Sequence, residues 1–161
     1  VAANYKKAET AAAALLKRYK INTPPVDPEA LAEAMGLEVV YARLKPDVSD
    51  SISGFIVPNK QQIVVNQATH PNRKTFTIAH ELAHHILHAD YTISDDYRVF
   101  NRMNEYDGDK PDEEKEADAF AAHLLVPTPL LKKYKDFATP TELARLFGVS
   151  NAVILNRLNW M

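Results

Sequence analysis

The stretch "FTIAHELAHHILHAD", residues 76–90, sets four histidines and Glu81 among apolar residues. Phe76, Ala79, Leu82, Ala83, Ile86 and Leu87 recur at helical spacing, so residues 73–89 read as a helix with one buried face. His80 and His84 are four apart and fall at the rim of that apolar arc, one turn above each other. That spacing lets both imidazoles reach a single Zn²⁺ at about 2.0–2.1 Å. Glu81 lies further round, beside them. A carboxylate there can take the proton of a water whose pKa zinc lowers toward about 7. His85 points away from the arc and reads as solvated. His88, at the helix end, reads as a cation favourable to the C-terminus.

A catalytic zinc takes three protein ligands and keeps one position open. The chain has no cysteine, so the third must be a carboxylate or another histidine. "EEKEADAFAAHLL", residues 113–125, carries acids just before an apolar stripe of Ala117, Phe120, Ala121 and Leu124. Spacing alone leaves Glu113, Glu114 and Glu116 open.

Outward from these helices the punctuation is clear. Residues 4–20 read as a helix, and "DPEALAEAMG", 27–36, as another, with Asp27 as cap, Pro28 at the first position and Gly36 past the end. "LEVVYARL" (37–44), "SGFIV" (53–57) and "QIVVN" (62–66) read as strands, the last two joined by "PNKQ" into a hairpin. Residues 90–110 read as polar and irregular, with a short extended piece at 98–101. Helices follow at 110–127, at "TPLLKKY" (128–134, capped by Thr128), at "TPTELARLFG" (139–148, with a Thr139/Glu142 capping box) and at "SNAVILNRL" (150–158, capped by Ser150). This order predicts an α+β fold: a small, mostly antiparallel three-stranded sheet on the histidine helix, N-terminal helices, and a helical C-terminal module. The 161 residues suffice for one cored domain, and the formal net charge of −2 leaves no electrostatic footprint for nucleic acid. The lack of cysteine fits a reducing cytoplasm, and the longest apolar run near the start, Ala11–Leu16, is too short to span a membrane.

Three stretches carry a resemblance: "IVVNQATHPNRKTFTIAHELAHHILH" (63–88), "EKEADAFAAHLLVP" (114–127) and "ELARLFGVSNAVILNRL" (142–158). Together they resemble the ImmA/IrrE family of small zinc metallopeptidases, with the gluzincin-like pattern His-Glu-x-x-His followed by Glu-x-x-x-Asp. The likeness runs from about residue 25 to the end. Ala83 stands where the family often has glycine. The resemblance implies zinc held by His80, His84 and Glu114, with Glu81 catalytic and Asp118 orienting a ligand histidine. It implies a zincin-type active-site helix, a metallopeptidase domain over 1–127 and a helical subdomain over 128–161 packed on it. It also implies an endopeptidase that cuts a cognate helix-turn-helix transcriptional repressor, in prophage, mobile-element or stress regulation. Such peptidases bind substrate as a strand added to a sheet edge, here 53–57 or 62–66. Tyr91, Tyr97, Tyr106 and His123 are candidate second donors to the oxyanion.

Two rival readings belong beside this one. The 141–158 region looks like a helix-turn-helix, which in a DNA-binding regulator would lay the 150–158 helix in the major groove. Arg157 is the only cation on that helix, however, whereas phosphate binding normally takes several, so a docking module is preferred to direct contact with nucleic acid. Alternatively, the zinc is structural or vestigial, which needs a fourth histidine or acid, with His70, His88 and His123 available.

Overall fold

The computed structural model describes residues 2–49, 51–102 and 110–161, without the side chains of 48, 49 and 99–102. In chain order the elements are α1 (Tyr5–Arg18), α2 (Pro28–Ala34), β1 (Glu38–Ala42), α3 (Pro46–Ser49), β2 (Gly54–Val57), β3 (Gln62–Asn66), α4 (Pro71–Leu87), α5 (Ala89–Thr92), α6 (Asp95–Arg102), α7 (Asp112–Leu125), α8 (Thr128–Tyr134), α9 (Pro140–Phe147) and α10 (Asn151–Asn159). The class is α+β. Local chemistry sets most of the boundaries. Asp27 accepts from the backbone of Glu29 and Ala30, and Ser150 accepts from Val153. Thr139 and Glu142 close the capping box. Gly148 adopts φ +69° between α9 and α10, a left-handed turn that favours glycine.

Three expectations need correction. The sheet is mixed, in order β1-β3-β2, with β1 parallel to β3 and β2 antiparallel to it. The β2–β3 hairpin leaves β3 a free side, and β1 fills it running the same way; residues 43–61 are long enough to make that crossover. Because β3 is central, 62–66 is not an edge, and β2 is. The 90–110 region is not irregular at its start, nor extended at 98–101, since α5 and α6 occupy 89–102. Ser94 accepts from the Tyr97 backbone at 3.3 Å, and Asp95 and Asp96 sit in the first turn of α6, where acids are favourable. Finally, Thr128 is the first residue of α8 and not its cap; its hydroxyl accepts instead from Arg157 at 2.7 Å.

The sheet lies on α4. Gly54 and Ile56 of β2 stand opposite Val65 and Ile63 of β3, and all four are buried on one face. Ile56, Ile63 and Val65 join a single core with Ile78, Ala79 and Leu82 of α4 and Ala117, Phe120, Ala121 and Leu124 of α7. Gly54 packs closely against both β3 and α4: a Cβ there would stand 2.5 Å from the Val64 carbonyl and 2.6 Å from the Thr77 methyl. The first of these is backbone and cannot swing away. Gly54→Ala is therefore expected to destabilise the fold by about 1–3 kcal/mol through overpacking, read as a lower midpoint in urea denaturation.

Candidate metal centre

The site forms where α4, α5, α6 and α7 meet. Pro71 opens α4, and the His70 ring accepts from the Asn72 backbone at 3.0 Å. The buried residues of α4 run from Thr77 to His84 and include Glu81. His80 keeps 16 % side-chain exposure, whereas His84 has none. His84 is thus inside the core and not at its rim, because the rings of Tyr91 and Tyr97 close over it at 5.4 and 5.5 Å. His85 is half-buried rather than solvated.

The two imidazoles aim the same atom at one point. His80 Nε2 lies 2.8 Å and His84 Nε2 3.2 Å from Glu114 Oε1. The other Glu114 oxygen accepts from the Tyr91 hydroxyl at 2.7 Å. Glu81 Oε1 accepts from the Tyr97 hydroxyl at 2.6 Å, while its Oε2 stands 3.9 Å from His80 Nε2. His80, Glu81 and His84 offer donor atoms all within 4.8 Å of one another, a group that could hold a metal ion. Glu114 comes closer to both imidazoles than Glu81 does.

The far side of each imidazole is also engaged. His80 Nδ1 lies 2.8 Å from Asp118, whose second oxygen takes Lys110 Nζ at 2.9 Å. His84 Nδ1 lies 3.0 Å from His88 Nδ1, and His88 Nε2 lies 2.8 Å from Glu116. Glu116 in turn accepts from the Asn4 backbone at 2.7 Å. These contacts fix the protons. If Nδ1–H of His80 donates to Asp118, its Nε2 lone pair is free. If Nδ1–H of His84 donates to His88, then His88 carries its proton on Nε2, donates to Glu116, and leaves the His84 Nε2 lone pair free as well.

The electrostatics call for a cation at that point. Burial alone would lower the His80 pKa, but the hydrogen bonds to Asp118 and Glu114 outweigh it and raise the pKa well above the ordinary value. Burial would raise Glu114, yet the two imidazoles hold its carboxyl far below the usual range. Burial lifts Glu81 against the pull of the same imidazoles and of Tyr97. Burial and the Glu114 carboxylate push the Tyr91 phenol up, which keeps it a donor. Two nitrogens and a carboxylate oxygen converging without sulfur suit a divalent ion; a proton on His80 does the same neutralising work.

The structure therefore brings together His80, Glu81, His84, Glu114 and Asp118. Glu116 faces His88 instead, and Glu113 acts on His88 and Tyr91 through charge alone. Tyr91 and Tyr97 are engaged with Glu114 and Glu81, and Tyr106 lies outside the described residues. His123 is elsewhere: it packs on Trp160 at 5.5 Å, where burial and the Arg157 charge push its pKa down to about 4. Among the described residues, none of His70, His88 and His123 joins the metal-capable group. Sequence reasoning missed His88 as the partner of His84. The spacing was visible, since His84 and His88 are themselves four apart, but it reads equally as a chain of ligands or as a helix-end charge.

Fold and site define the class: an α+β domain whose central helix carries a group able to hold a divalent metal. The chain belongs to the peptidase family described as the IrrE N-terminal-like domain, whose profile matches residues 32–159. It is 30 % identical over 112 residues to the radiation response metalloprotease IrrE of Deinococcus radiodurans, which covers 65 % of this chain and 33 % of that protein. To the protein of the same name from Deinococcus deserti it is 33 % identical over 104 residues, 60 % of this chain and 35 % of that one. The chain thus spans about a third of the length of these relatives. A solved structure of a Mycobacterium tuberculosis transcriptional regulator shares the fold, at TM-score 0.64 and 21 % identity over 94 % of this chain and 55 % of the other. Among the described residues, no helix is long and apolar enough to cross a membrane.

Replacing His88 by alanine should leave His84 without its orienting partner. Affinity for a divalent ion is expected to fall roughly 10–100-fold, measured by competition with a chelator, while His85→Ala leaves it unchanged.

Proposed function

We propose that this chain is a zinc-dependent endopeptidase of gluzincin type, acting on a cognate helix-turn-helix transcriptional repressor. The observation that carries the reading is the convergence of His80 Nε2 and His84 Nε2 on Glu114 Oε1, with Glu81 at their side. In this reading His80, His84 and Glu114 hold zinc. Bound there, zinc would act as a Lewis acid that polarises a peptide carbonyl and makes water acidic near neutral pH. Asp118 keeps His80 in the tautomer that offers Nε2, His88 does so for His84, and Tyr91 holds the Glu114 carboxylate in place.

Glu81 does the proton work. Its Oε1 is held by Tyr97, so Oε2, on the His80 side, is the oxygen that takes a proton from the attacking water. Burial raises its pKa above the ordinary carboxylate value, against the pull of the two imidazoles and of Tyr97. The water oxygen bonds to the carbonyl carbon, the C–N bond breaks, and the proton held by Glu81 passes to the leaving amine. The outer edge of β2 is where an extended substrate adds as a strand, since β3 is paired on both sides.

The family and the names of the two relatives support proteolysis. A repressor as substrate, a role in prophage or stress regulation, and action in the cytoplasm rest on the motif resemblance and the absence of cysteine. Direct DNA binding is disfavoured because Arg157, the only cation of α10, is buried and donates to the Val126 carbonyl at 3.0 Å. Of the three histidines that could close the site as a structural one, His70, His88 and His123, none joins the metal-capable group among the described residues.

Glu81→Gln tests the reading. The variant should bind one zinc as the parent does and cleave the repressor encoded beside it roughly 10²–10⁴-fold more slowly, followed by mass spectrometry of the products. Equal cleavage by parent and variant would sink the assignment of Glu81. A parent chain that binds no divalent ion would sink the zinc site. A second prediction separates the two acids of α7. Glu114→Gln should lose most metal affinity, whereas Glu116→Gln should weaken it only through His88, by about tenfold, in the same chelator competition.

A further inference from the structure

The outer edge of β2 is not open at its centre. The ladder phase is set by the Asn66 N–H donating to the Ser53 carbonyl at 2.8 Å. Pairs then alternate, so Phe55 and Val57 turn their backbone groups toward β3 while Gly54 and Ile56 turn theirs outward. The outward N–H of Ile56 donates to the Tyr97 hydroxyl at 2.8 Å. The same hydroxyl donates to Glu81 Oε1 at 2.6 Å. A phenol has one hydrogen to give, and here it goes to Glu81. One buried side chain, 3 % exposed, thus holds both the strand edge and the carboxylate beside the two imidazoles.

Among the described residues, the rest of that edge is approachable. A cavity of about 440 Å³ runs along β2, lined by Phe55, Val57, Pro58, Ile93, Tyr97 and Arg98 among others. Its walls are largely apolar, with Ile93 63 % exposed. Its lining suits an extended peptide carrying an apolar side chain. The Tyr97 hydroxyl sits where such a peptide's carbonyl would meet the Ile56 N–H.

We propose that Tyr97 is a substrate-displaced latch: it caps the Ile56 N–H at rest while restraining Glu81, and an incoming extended peptide takes over that N–H and frees the phenol from the strand. This deepens the peptidase reading above and rests on it. Strand addition takes the Ile56 N–H and leaves the phenol donating to Glu81 alone. Tyr97 is a positioning residue here, because it acts through Glu81 and the strand.

The test uses the full chain, loaded with zinc, and two readouts. The first is amide hydrogen exchange at Ile56, which needs no substrate. Tyr97→Phe should speed exchange at Ile56 about tenfold or more and leave Phe55 and Val57, whose N–H groups face β3, unchanged. No change at Ile56 overturns the latch. The second is steady-state cleavage of the repressor used above. Tyr97→Phe should lower KM roughly two- to tenfold, the equivalent of one ordinary hydrogen bond no longer broken, and lower kcat as Glu81 loses its restraint. A KM that rises or stays fixed overturns displacement. If the phenylalanine variant does not fold, Tyr97→Leu is read the same way. A parent chain that cleaves nothing defeats the peptidase reading, and with it the displacement step, while the exchange result still decides whether Tyr97 seals the edge.

Discussion

A carboxylate sealed in an apolar interior must be met by positive charge or by donors, or it does not stay ionised there. Glu114 is 1 % exposed, and this constraint governs the protein. One of its oxygens is claimed by His80 and His84 of α4, the other by Tyr91 of α5. These helices therefore cannot shift against α7 without stranding a charge. The apolar contacts of Leu82, Phe120 and Leu124 set the spacing between α4 and α7. The carboxylate sets their register, because dispersion alone tolerates small slides that a hydrogen bond at 2.8 Å does not.

From that carboxylate two chains of polar groups lead outward, and they differ in stiffness. The His80 chain passes through Asp118 and ends at Lys110, an ion pair whose members keep 51 % and 34 % side-chain exposure. Exposed pairs of this kind are screened and contribute little, so the outer hold on His80 is the Asp118 carboxylate itself, and the ring stays reachable. The His84 chain passes through His88 and Glu116 to the backbone of Asn4 at the start of α1, with His84 fully buried at its inner end. Among the described residues, no buried side-chain nitrogen or oxygen lacks a partner. A half-satisfied buried network costs more than an apolar core, so completeness here is what lets the polar cluster coexist with the hydrophobic one. One imidazole is thus fixed and the other accessible, which suits a centre that must hold its ion yet admit a reactant.

Much of this was legible in the residues, and what was not has physical reasons. The i,i+4 histidines, the capping box of Thr139 and Glu142, and the hairpin at 58–61 rest on local geometry, which sequence periodicity reports directly. The direction of β1 does not. Parallel or antiparallel pairing depends on where a crossover goes, and residues 43–53 carry no signal for it. Helix α6 escaped notice because Asp95, Asp96 and Arg98 give it a polar surface, while its described inward contact is made by Tyr97 alone. The choice among Glu113, Glu114 and Glu116 was closed to spacing arguments because all three lie within one turn of α7. Only the packing of α4 against α7 shows which acid meets the imidazoles, and only α1 explains what Glu116 does instead.

The C-terminal module belongs to the same mechanical problem. Arg157 reads in sequence as the sole cation of a recognition-like helix, and a cation there would face phosphate. In the structure it is 1 % exposed, and its guanidinium donates to the Val126 carbonyl and the Thr128 hydroxyl, at the junction of α7 and α8. Positive charge is favourable at a helix C-terminus, where carbonyls lack partners. Arg157 therefore pins the far end of α7, as the Asn4–Glu116 contact secures its N-terminal half. Glu114 rides on a helix anchored at both ends, by α1 and by α10, so its oxygen is placed before any ion arrives. Residues far from the centre in sequence thereby supply preorganisation, which a metal site needs as much as it needs ligands.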